Sequence, residues 1–274
     1  MAEKVGLVIA VDKPLQWTSF QVVNKVKWQL RRNFGLKKFK IGHAGTLDPL
    51  ASGLLLICVG NATKKIEELQ QGIKEYSGTM VLGATTPCYD LEQAVDHLLP
   101  FNHITPELIE TTRQSFVGEQ EQVPPMFSAV KINGKRAYLS ARDGSVADIA
   151  PKKITIYDFQ ISQYHPASVS ENEIKITAPA EGRLRDLYKN PQGEIPPGLP
   201  QIDFHVTCGK GTYIRSLARD FGLAVGSGAF LSELRREKIG DYRVDDALSI
   251  DDIETTLTPD NPTYYPLLSL AQKG

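Results

Sequence analysis

Two kinds of apolar pattern predict strands in this chain. Uninterrupted apolar runs cover residues 5–11 and 54–59, and short runs bounded by turn residues are typical of buried strands. Apolar and polar residues alternate over 153–164 and 201–208, and a further strand is predicted over 75–82. Alternation of this kind predicts strands that bury one face and expose the other.

Apolar residues three or four positions apart predict helices. We expect these helices to begin at Ser19, Asn61, Thr105 and about Ile214. The first should be capped by Ser19 and should end before Gly35, because Ser favours the N-cap and Gly the position after a helix. Its predicted buried stripe consists of Phe20, Val23, Val26 and Leu30.

The connecting segments contain strong turn signals. The pair Asn133-Gly134 predicts a β-hairpin. Residues 180–200 are rich in Pro, Gly and charged residues, which predicts an inserted surface loop. We expect residues 1–242 to form one domain. Residues 243–274 should be a short tail, with too little chain for a further domain with its own core.

Residues 40–60 combine a glycine-rich loop with a buried strand, and they carry the best candidate for chemistry. The loop over 42–53 contains three glycines and the dipeptide Asp48-Pro49. A loop attached to a core strand is a favourable place for a functional carboxylate. Asp before Pro is also a common turn opener, but His43 and Thr46 beside Asp48 favour a functional site.

Composition excludes several classes of protein. The 274 residues are 41% hydrophobic and 23% charged, which is ordinary for a soluble globular protein. No apolar run approaches 18 residues, so we expect no membrane span. The cysteines Cys58, Cys88 and Cys208 are far apart and form no Cys-x-x-Cys pair, which argues against a metal site or disulfides. They favour a reducing compartment, so we expect a cytoplasmic protein.

Charge is distributed unevenly along the chain. The net charge is −1, yet residues 13–47 contain eight basic residues and no acidic one. A solvated helix face would explain such a run, but its position directly before Asp48 favours contact with a phosphate backbone. These basic residues are Lys13, Lys25, Lys27, Arg31, Arg32, Lys37, Lys38 and Lys40.

The sequence His-Ala-Gly-Thr-Leu-Asp-Pro-Leu-Ala-Ser-Gly, at residues 43–53, is followed by Leu-Leu-Leu-Ile-Cys-Val-Gly-Asn-Ala-Thr-Lys. Together they strongly resemble the signature of the TruB family, the tRNA pseudouridine-55 synthases. This resemblance implies that Asp48 is the catalytic residue. It also implies an α+β fold, the pseudouridine synthase fold, with a mixed and mostly antiparallel sheet and flanking helices. The predicted strands and hairpin are consistent with that fold.

Further family motifs suggest additional site residues. Lys-Gly-Thr-Tyr-Ile-Arg at 210–215 resembles the motif in which the Arg pairs with the catalytic Asp and the Tyr lines the uracil pocket, which implies these roles for Arg215 and Tyr213. Without the resemblance, Arg215 is equally well explained as a solvent-facing residue off the apolar stripe of its helix. The Leu-Arg-Arg block similarly implies that Leu234 belongs to the apolar wall of the base pocket.

Two aromatic side chains receive roles from the same resemblance. Tyr76 would pack against the target base, and His43 would fill the place that the extruded nucleotide leaves. Taken alone, Tyr76 is better explained as a half-buried tyrosine of a sheet, the commonest use of Tyr, and His43 as a loop histidine bonded to the backbone. The early motif Asp-Lys-Pro, at residues 12–14, is interpreted as support for the site.

The resemblance implies an isomerase that acts on the T arm of tRNA. Substrate and product have the same formula, so we expect no cofactor, no metal and no group donor. The tail is too short for the RNA-binding PUA module that many family members carry. We expect a monomer, with Lys25, Arg31, Arg32, Lys37, Lys38 and Lys40 facing the RNA backbone. The alternatives are a non-catalytic tRNA-binding protein or RNA chaperone on the same fold, and a nucleoside hydrolase, which would lack a recognisable partner carboxylate.

Overall fold

The computed structural model describes residues 5–126, 131–132, 135–136, 149–174 and 194–271. The described strands are β1 Gly6–Lys13, β2 Ile41–Ala44, β3 Ser52–Gly60, β4 Lys74–Leu82, β5 Ala84–Thr85, β6 His97–Leu98, β7 Gly118–Gln122, β8 Lys131–Ile132, β9 Lys135–Arg136, β10 Lys152–His165, β11 Gln201–Cys208, β12 Ala229–Ile239 and β13 Tyr242–Arg243. The described helices are α1 Ser19–Phe34, α2 Ile66–Gln71, α3 Pro106–Ser115, α4 Ile214–Ala224, α5 Asp252–Thr256 and α6 Tyr265–Ala271.

The main sheet is mixed and mostly antiparallel, as expected. Its strand order is β1-β3-β12-β4-β11-β10-β7, with β2 also paired to β3 and β13 to β12. The pairs β1–β3, β2–β3, β7–β10, β10–β11 and β12–β13 are antiparallel. The pair β3–β12 is parallel, through Arg235 opposite Ser52 and Arg236 opposite Gly53. The α+β class is therefore confirmed.

The two strands of the predicted hairpin, β8 and β9, are present and paired. Lys131 pairs with Arg136 and Ile132 with Lys135 in an antiparallel ladder. The turn residues Asn133 and Gly134 lie outside the described residues, as do residues 180–193 of the predicted insert.

The described residues divide into two compact units. The first contains residues from 5–76 and 235–271, and the second contains residues from 77–234. In the first unit, one face of α1 packs against β1 and β3, and many residues of this core have 0% exposure. Among those fully buried residues are Val22, Val26 and Leu30 of α1 together with Ile253, Leu257 and Leu267 of the C-terminal segment. The segment that we expected as a tail thus contributes to the core of the first unit.

Two expectations for α1 are wrong. Phe20 is 68% exposed instead of buried, and Val22 takes its expected place in the core. The N-cap is Thr18, whose side chain accepts from the backbone N–H of Gln21 while the Gln21 side chain accepts from the Thr18 N–H. That reciprocal pair is a capping box, and it leaves the neighbouring Ser19 hydroxyl available for other contacts. The predicted end is confirmed, since Gly35 adopts a positive φ of 63°.

The loop predicted over 42–53 is partly a strand. His43 lies on β2, opposite Ile57 of β3. Glycine content hid this strand, because Gly weakens a strand pattern.

The second unit follows the alternation of the sequence closely. The side chains of Ile202, Phe204, Val206 and Cys208 are buried along β11, while Asp203 and His205 are more exposed. Phe159 of β10 makes edge-to-face contacts with Phe204 and with Phe221 of α4. This packing holds α4, which carries two predicted site residues, against its sheet.

Candidate active site

Asp48 lies in the first unit, in the segment between β2 and β3, and its side chain is half-buried. Its backbone carbonyl accepts a hydrogen bond from Ala51 N–H at 3.1 Å, which closes a tight turn. Gly53 then enters β3 with a φ of 103°, and a Cβ there would lie 2.4 Å from the carbonyl oxygen of Arg236. Gly53 is therefore required both by its backbone conformation and by the close approach of β12.

Arg236 holds this segment, which we call the motif loop (residues 45–53), from the inside. Its side chain is 1% exposed. Nε donates to the carbonyl of Leu54 at 2.8 Å, Nη2 to that of Gly45 at 3.1 Å and Nη1 to that of Thr46 at 3.3 Å. One buried guanidinium thus fixes both ends of the motif loop. The sequence shows Arg236 only as part of a Leu-Arg-Arg block and gives no sign of this role.

Lys13 and Ser19 hold the same loop from another side. The Ser19 hydroxyl accepts from Leu47 N–H at 2.9 Å and donates to the Leu47 carbonyl at 3.0 Å. The Lys13 ammonium is fully buried and donates to the carbonyls of Trp17, Pro14 and Pro49. The residues on both sides of Asp48, Leu47 and Pro49, are therefore bound through their backbones. The expected supporting role of Lys13 agrees with this geometry.

Burial shapes the electrostatics around the loop. It lowers the pKa of the Lys13 ammonium to about 8, against the attraction of the nearby Asp48 carboxylate. Burial also lowers the pKa of His43, and the positive charge of Arg236 acts in the same direction. Both effects favour the neutral imidazole of His43 at pH 7. Tyr76, at the start of β4 in the same unit, is 8% exposed.

Arg215 and Tyr213 lie together in the second unit, at the beginning of α4. Arg215 is 5% exposed, although its position off the apolar stripe allowed a solvent-facing side chain. Its Nη1 donates to the carbonyl of Cys88 at 3.2 Å, and its Nε lies 3.6 Å from Oδ2 of Asp90. The backbone of Tyr213 is held on both sides by the amide of Gln122, at 2.8 and 3.1 Å.

Asp90 is a charged partner that sequence reasoning missed. It is 5% exposed, and its Oδ1 accepts from Glu92 N–H at 2.9 Å. It lies in the loop between β5 and β6, which the sequence shows only as rich in turn residues. No local pattern distinguishes a buried carboxylate from a turn Asp in such a loop, so the contact with Arg215 was not predictable.

The structure groups the predicted site residues in two sets. Asp48, His43 and Tyr76 belong to the first unit, whereas Tyr213, Arg215 and the half-buried Leu234 belong to the second. The pairing of Arg215 with Asp48 that the family motif implies stays a prediction.

The predicted RNA-facing cations differ in exposure. Arg31, Arg32, Lys37, Lys38 and Lys40 are exposed, and Lys27 is partly exposed. Lys25 forms an ion pair with Glu254 of α5. Lys13, the first basic residue of the run, is buried and does not contribute to this surface.

The part of the chain that the structure describes contains neither a candidate metal site nor a candidate membrane-spanning helix. No group of His, Cys, Asp and Glu side chains in that part of the chain could hold a metal ion. None of the helices described is both long enough and apolar enough to cross a bilayer.

Comparisons with known proteins show which family the chain is similar to. A model of the N-terminal domain of TruB family pseudouridylate synthases matches residues 31–181. The tRNA pseudouridine synthase B of Flavobacterium johnsoniae is 49% identical over 253 residues, which is 92% of this chain and 96% of the relative. The enzyme of the same name from Phocaeicola vulgatus is 45% identical over 248 residues, or 90% and 92% of the two chains.

Solved structures share the fold. A chain in a Cbf5-Nop10-Gar1 complex aligns with a TM-score of 0.62 and 26% identity over 98% of this chain. A chain in an archaeal box H/ACA sRNP Nop10-Cbf5 complex aligns with a TM-score of 0.57 and 23% identity over 97% of this chain. This chain spans 61% and 59% of the lengths of those two chains.

Proposed function

The chain belongs to the TruB family of pseudouridylate synthases, and from that membership we propose that it isomerises a uridine of tRNA to pseudouridine, at position 55 in the T loop. The observation that carries the proposal is the 49% identity to a tRNA pseudouridine synthase B over 92% of this chain. The catalytic residue is Asp48, at the centre of the family signature. Residues 1–242 carry this activity.

The reaction breaks the bond between C1′ of the ribose and N1 of the uracil and forms a bond between C1′ and C5. The C5 hydrogen leaves as a proton, and N1 gains one, so the formula is unchanged and no redox partner is needed. A carboxylate near the sugar and base assists by covalent catalysis or by stabilising developing positive charge. The half-buried Asp48, on a loop bound through its backbone on both sides, suits either role because its position is fixed in advance.

The surrounding residues bind and orient the nucleotide. The target uridine leaves its stack at a cost of a few kcal/mol, and His43 fills the vacated place as a neutral imidazole. Tyr76 packs on the extruded base, while Tyr213 and Leu234 line the pocket. Arg215 pairs with Asp48 and keeps it ionised, while the buried carboxylate of Asp90 orients the guanidinium and offsets part of its charge.

The basic surface of the first unit binds the RNA backbone. Arg31, Arg32, Lys37, Lys38 and Lys40 supply exposed charge, while Lys25 contributes less because Glu254 neutralises it. We expect a monomeric protein that acts in the cytoplasm, where its substrate would be found. Light scattering during size-exclusion chromatography measures the first expectation directly.

A tritium-release assay tests the reaction. An unmodified tRNA transcript with tritium at C5 of its uracils is incubated with the protein, and the label released to water is counted. Wild type should release one label per tRNA, and Asp48→Asn should release none while it still binds tRNA. Retention of all label by the wild type would exclude a synthase and leave a tRNA-binding protein. Release of free uracil would identify a hydrolase.

A further inference from the structure

The outer face of α1 carries two large aromatic side chains that the fold does not use. Phe20 is 68% exposed and Trp28 is 49% exposed. Both lie on a stripe with Asn24 and Arg32, at positions i, i+4, i+8 and i+12 of one helix face, and all four residues are exposed. The opposite face buries Val22, Val26 and Leu30 completely. The packing of α1 against the core therefore does not explain why aromatic side chains lie on its exposed face.

Cations surround the Trp28 ring. The guanidinium carbon of Arg32 lies 5.1 Å from the ring centroid, and the Lys25 ammonium lies 5.8 Å from it. Both distances fall within the range of cation–π attraction. The charges that face this stripe are the basic Lys25, Lys27, Arg31 and Arg32 and the acidic Glu254 of α5. The net charge around the stripe is therefore positive, although Glu254 offsets the charge of Lys25.

The stripe begins beside the candidate catalytic loop. Ser19, at the first position of α1, forms both of its hydrogen bonds with the backbone of Leu47, next to Asp48. Trp28 follows nine residues later, which corresponds to about 14 Å along the helix axis. The aromatic and basic residues thus extend outwards from the motif loop within the first unit.

We propose that this outer face of α1 (Phe20, Asn24, Trp28 and Arg32) is a stacking surface for unpaired nucleotides of the substrate RNA. Trp28 and Phe20 take the flat faces of bases, and Arg32 binds a neighbouring phosphate. Exposed aromatic rings on a positive surface are the usual means of binding single-stranded nucleic acid. The positive charge disfavours pairing of the face with a second copy of itself. The proposal rests on the proposed function and adds a binding surface to it.

Substitutions at Trp28 test the proposal through the separation of KM from kcat. Trp28→Leu keeps apolar bulk but loses the π face, and it should raise KM for tRNA about tenfold, with kcat within about twofold of wild type because no reacting atom is touched. Trp28→Phe should stay within about threefold of wild type in KM, because a phenyl ring still stacks. Tyr265→Leu is the matched control, since Tyr265 is 51% exposed on α6 in the same unit and is not part of the proposed stripe.

A second measurement does not depend on turnover. In the Asp48→Asn background, added tRNA should quench tryptophan fluorescence, and Trp28→Phe should remove most of the quenching and leave the signal of Trp17. Circular dichroism confirms that the variants are folded. Either an unchanged KM in Trp28→Leu or quenching that persists in Trp28→Phe would overturn the stacking surface.

The remaining outcomes separate this proposal from others. If wild type releases tritium normally but Trp28→Leu does not raise KM, the proposed function stands and the stacking surface is wrong. If wild type releases none, yet quenching depends on Trp28, the RNA surface stands without the reaction. If Trp28→Leu converts a dimer into a monomer in sedimentation experiments, the face is a contact between protein copies, and the proposal fails.

Discussion

Arg236 is the buried charge with the most direct hold on the motif loop. Its three contacts are with backbone carbonyls of Gly45, Thr46 and Leu54, which lie before and after Asp48 in the chain. A planar guanidinium donates in several fixed directions at once, whereas a lysine ammonium is a compact point donor on a flexible stem. We therefore treat Arg236 as a positioning residue, which acts on the reaction through the backbone of the loop.

Replacement of Arg236 should impair turnover more than binding. Arg236→Lys keeps the charge but not the three directions, so Asp48 should shift and kcat should fall about a hundredfold, with KM within about threefold. Single-turnover tritium release at saturating tRNA measures the effect. Arg235→Lys is the neighbouring control, because Arg235 donates to Asp12 at 2.8 Å and reaches the motif loop through the Ser52 hydroxyl at 3.5 Å instead of through a backbone carbonyl. A kcat of wild-type size in Arg236→Lys would show that the loop is held without it.

Lys13 makes a separate prediction for the pH dependence of stability. Burial lowers its pKa in the folded protein to about 8 from the usual 10.5. Between these values the unfolded chain binds a proton that the folded protein has lost, so the contribution of Lys13 to stability rises with pH in that window. Below pH 8 both states are protonated, and this contribution becomes independent of pH.

Lys13→Arg provides the comparison, because arginine keeps its proton throughout the window. Urea unfolding of both proteins at pH 7, 8, 9 and 10 measures the difference in their free energies of unfolding. We expect wild type to gain stability relative to the variant from pH 8 to pH 10, and the difference to be flat from pH 7 to 8. A difference that does not change from pH 7 to 10 would mean that Lys13 titrates normally.

At the residue scale, the motifs identify Asp48 and Arg215 as candidates, but the sequence hides the residues that contact them and their loops. Arg236 binds carbonyls about 190 positions away, and Asp90 contacts Arg215 across 125 positions. Neither partner leaves a local pattern, because backbone carbonyls look alike at every residue. Buried charges of this kind become visible only with coordinates.

At the scale of elements, the beginning of α1 performs two tasks with adjacent residues. Thr18 caps the helix through its capping box with Gln21. Ser19 instead uses its hydroxyl on the backbone of Leu47. The helix start thus couples the stability of α1 to the position of the motif loop, and the two functions can be separated by single substitutions.

Alanine at each of the two positions should have different effects. Thr18→Ala should lower the free energy of unfolding by about 1 kcal/mol, as expected for a lost cap, with kcat unchanged. Ser19→Ala should cost about 1–3 kcal/mol, because it leaves the buried N–H of Leu47 without its acceptor, and it should also lower kcat. Chemical unfolding and tritium release on the two variants decide the matter. Equal kcat values in both variants would show that the hydrogen bonds from Ser19 to the motif loop do not affect turnover.

Pattern predicted the long elements well and the short ones poorly. The alternation in β11 and the apolar run of β3 were strong enough to predict both strands correctly. The strand β2 was missed because Gly42 lies within four residues that pair only through β3. Phe20 was misplaced because it lies three residues before Val23 and so fits the helical spacing of Val23, Val26 and Leu30, although its own side chain is exposed. Phe20 belongs instead to the exposed face of α1 that also carries Trp28.

At the scale of the whole molecule, the C-terminal segment was the least predictable part. Its apolar residues are sparse, and they looked insufficient for a core of their own. The structure resolves this by placing Ile253, Leu257 and Leu267 in a cluster with α1 and β3 of the first unit. Sequence separation of more than 200 residues conceals that contact from any local pattern.

The net charge of −1 also conceals a whole-molecule property, which is the concentration of basic residues in one segment. Lys37 and Lys38 are exposed and lie a few residues before β2, which begins at Ile41. If each neutralises a phosphate, the double substitution Lys37→Glu, Lys38→Glu should weaken tRNA binding and reduce the slope of log Kd against log salt by about two. Filter binding between about 50 and 200 mM salt measures this slope.

The matched control carries the same change of charge elsewhere in the first unit. Lys64 and Lys65 are exposed in the 3₁₀ turn Asn61–Lys65 that follows β3, so Lys64→Glu, Lys65→Glu alters the net charge equally. A contact of Lys37 and Lys38 with phosphates predicts a larger loss of slope for their pair than for the control. Equal losses would mean that tRNA responds to the total charge of the protein, and that the basic segment is merely solvated.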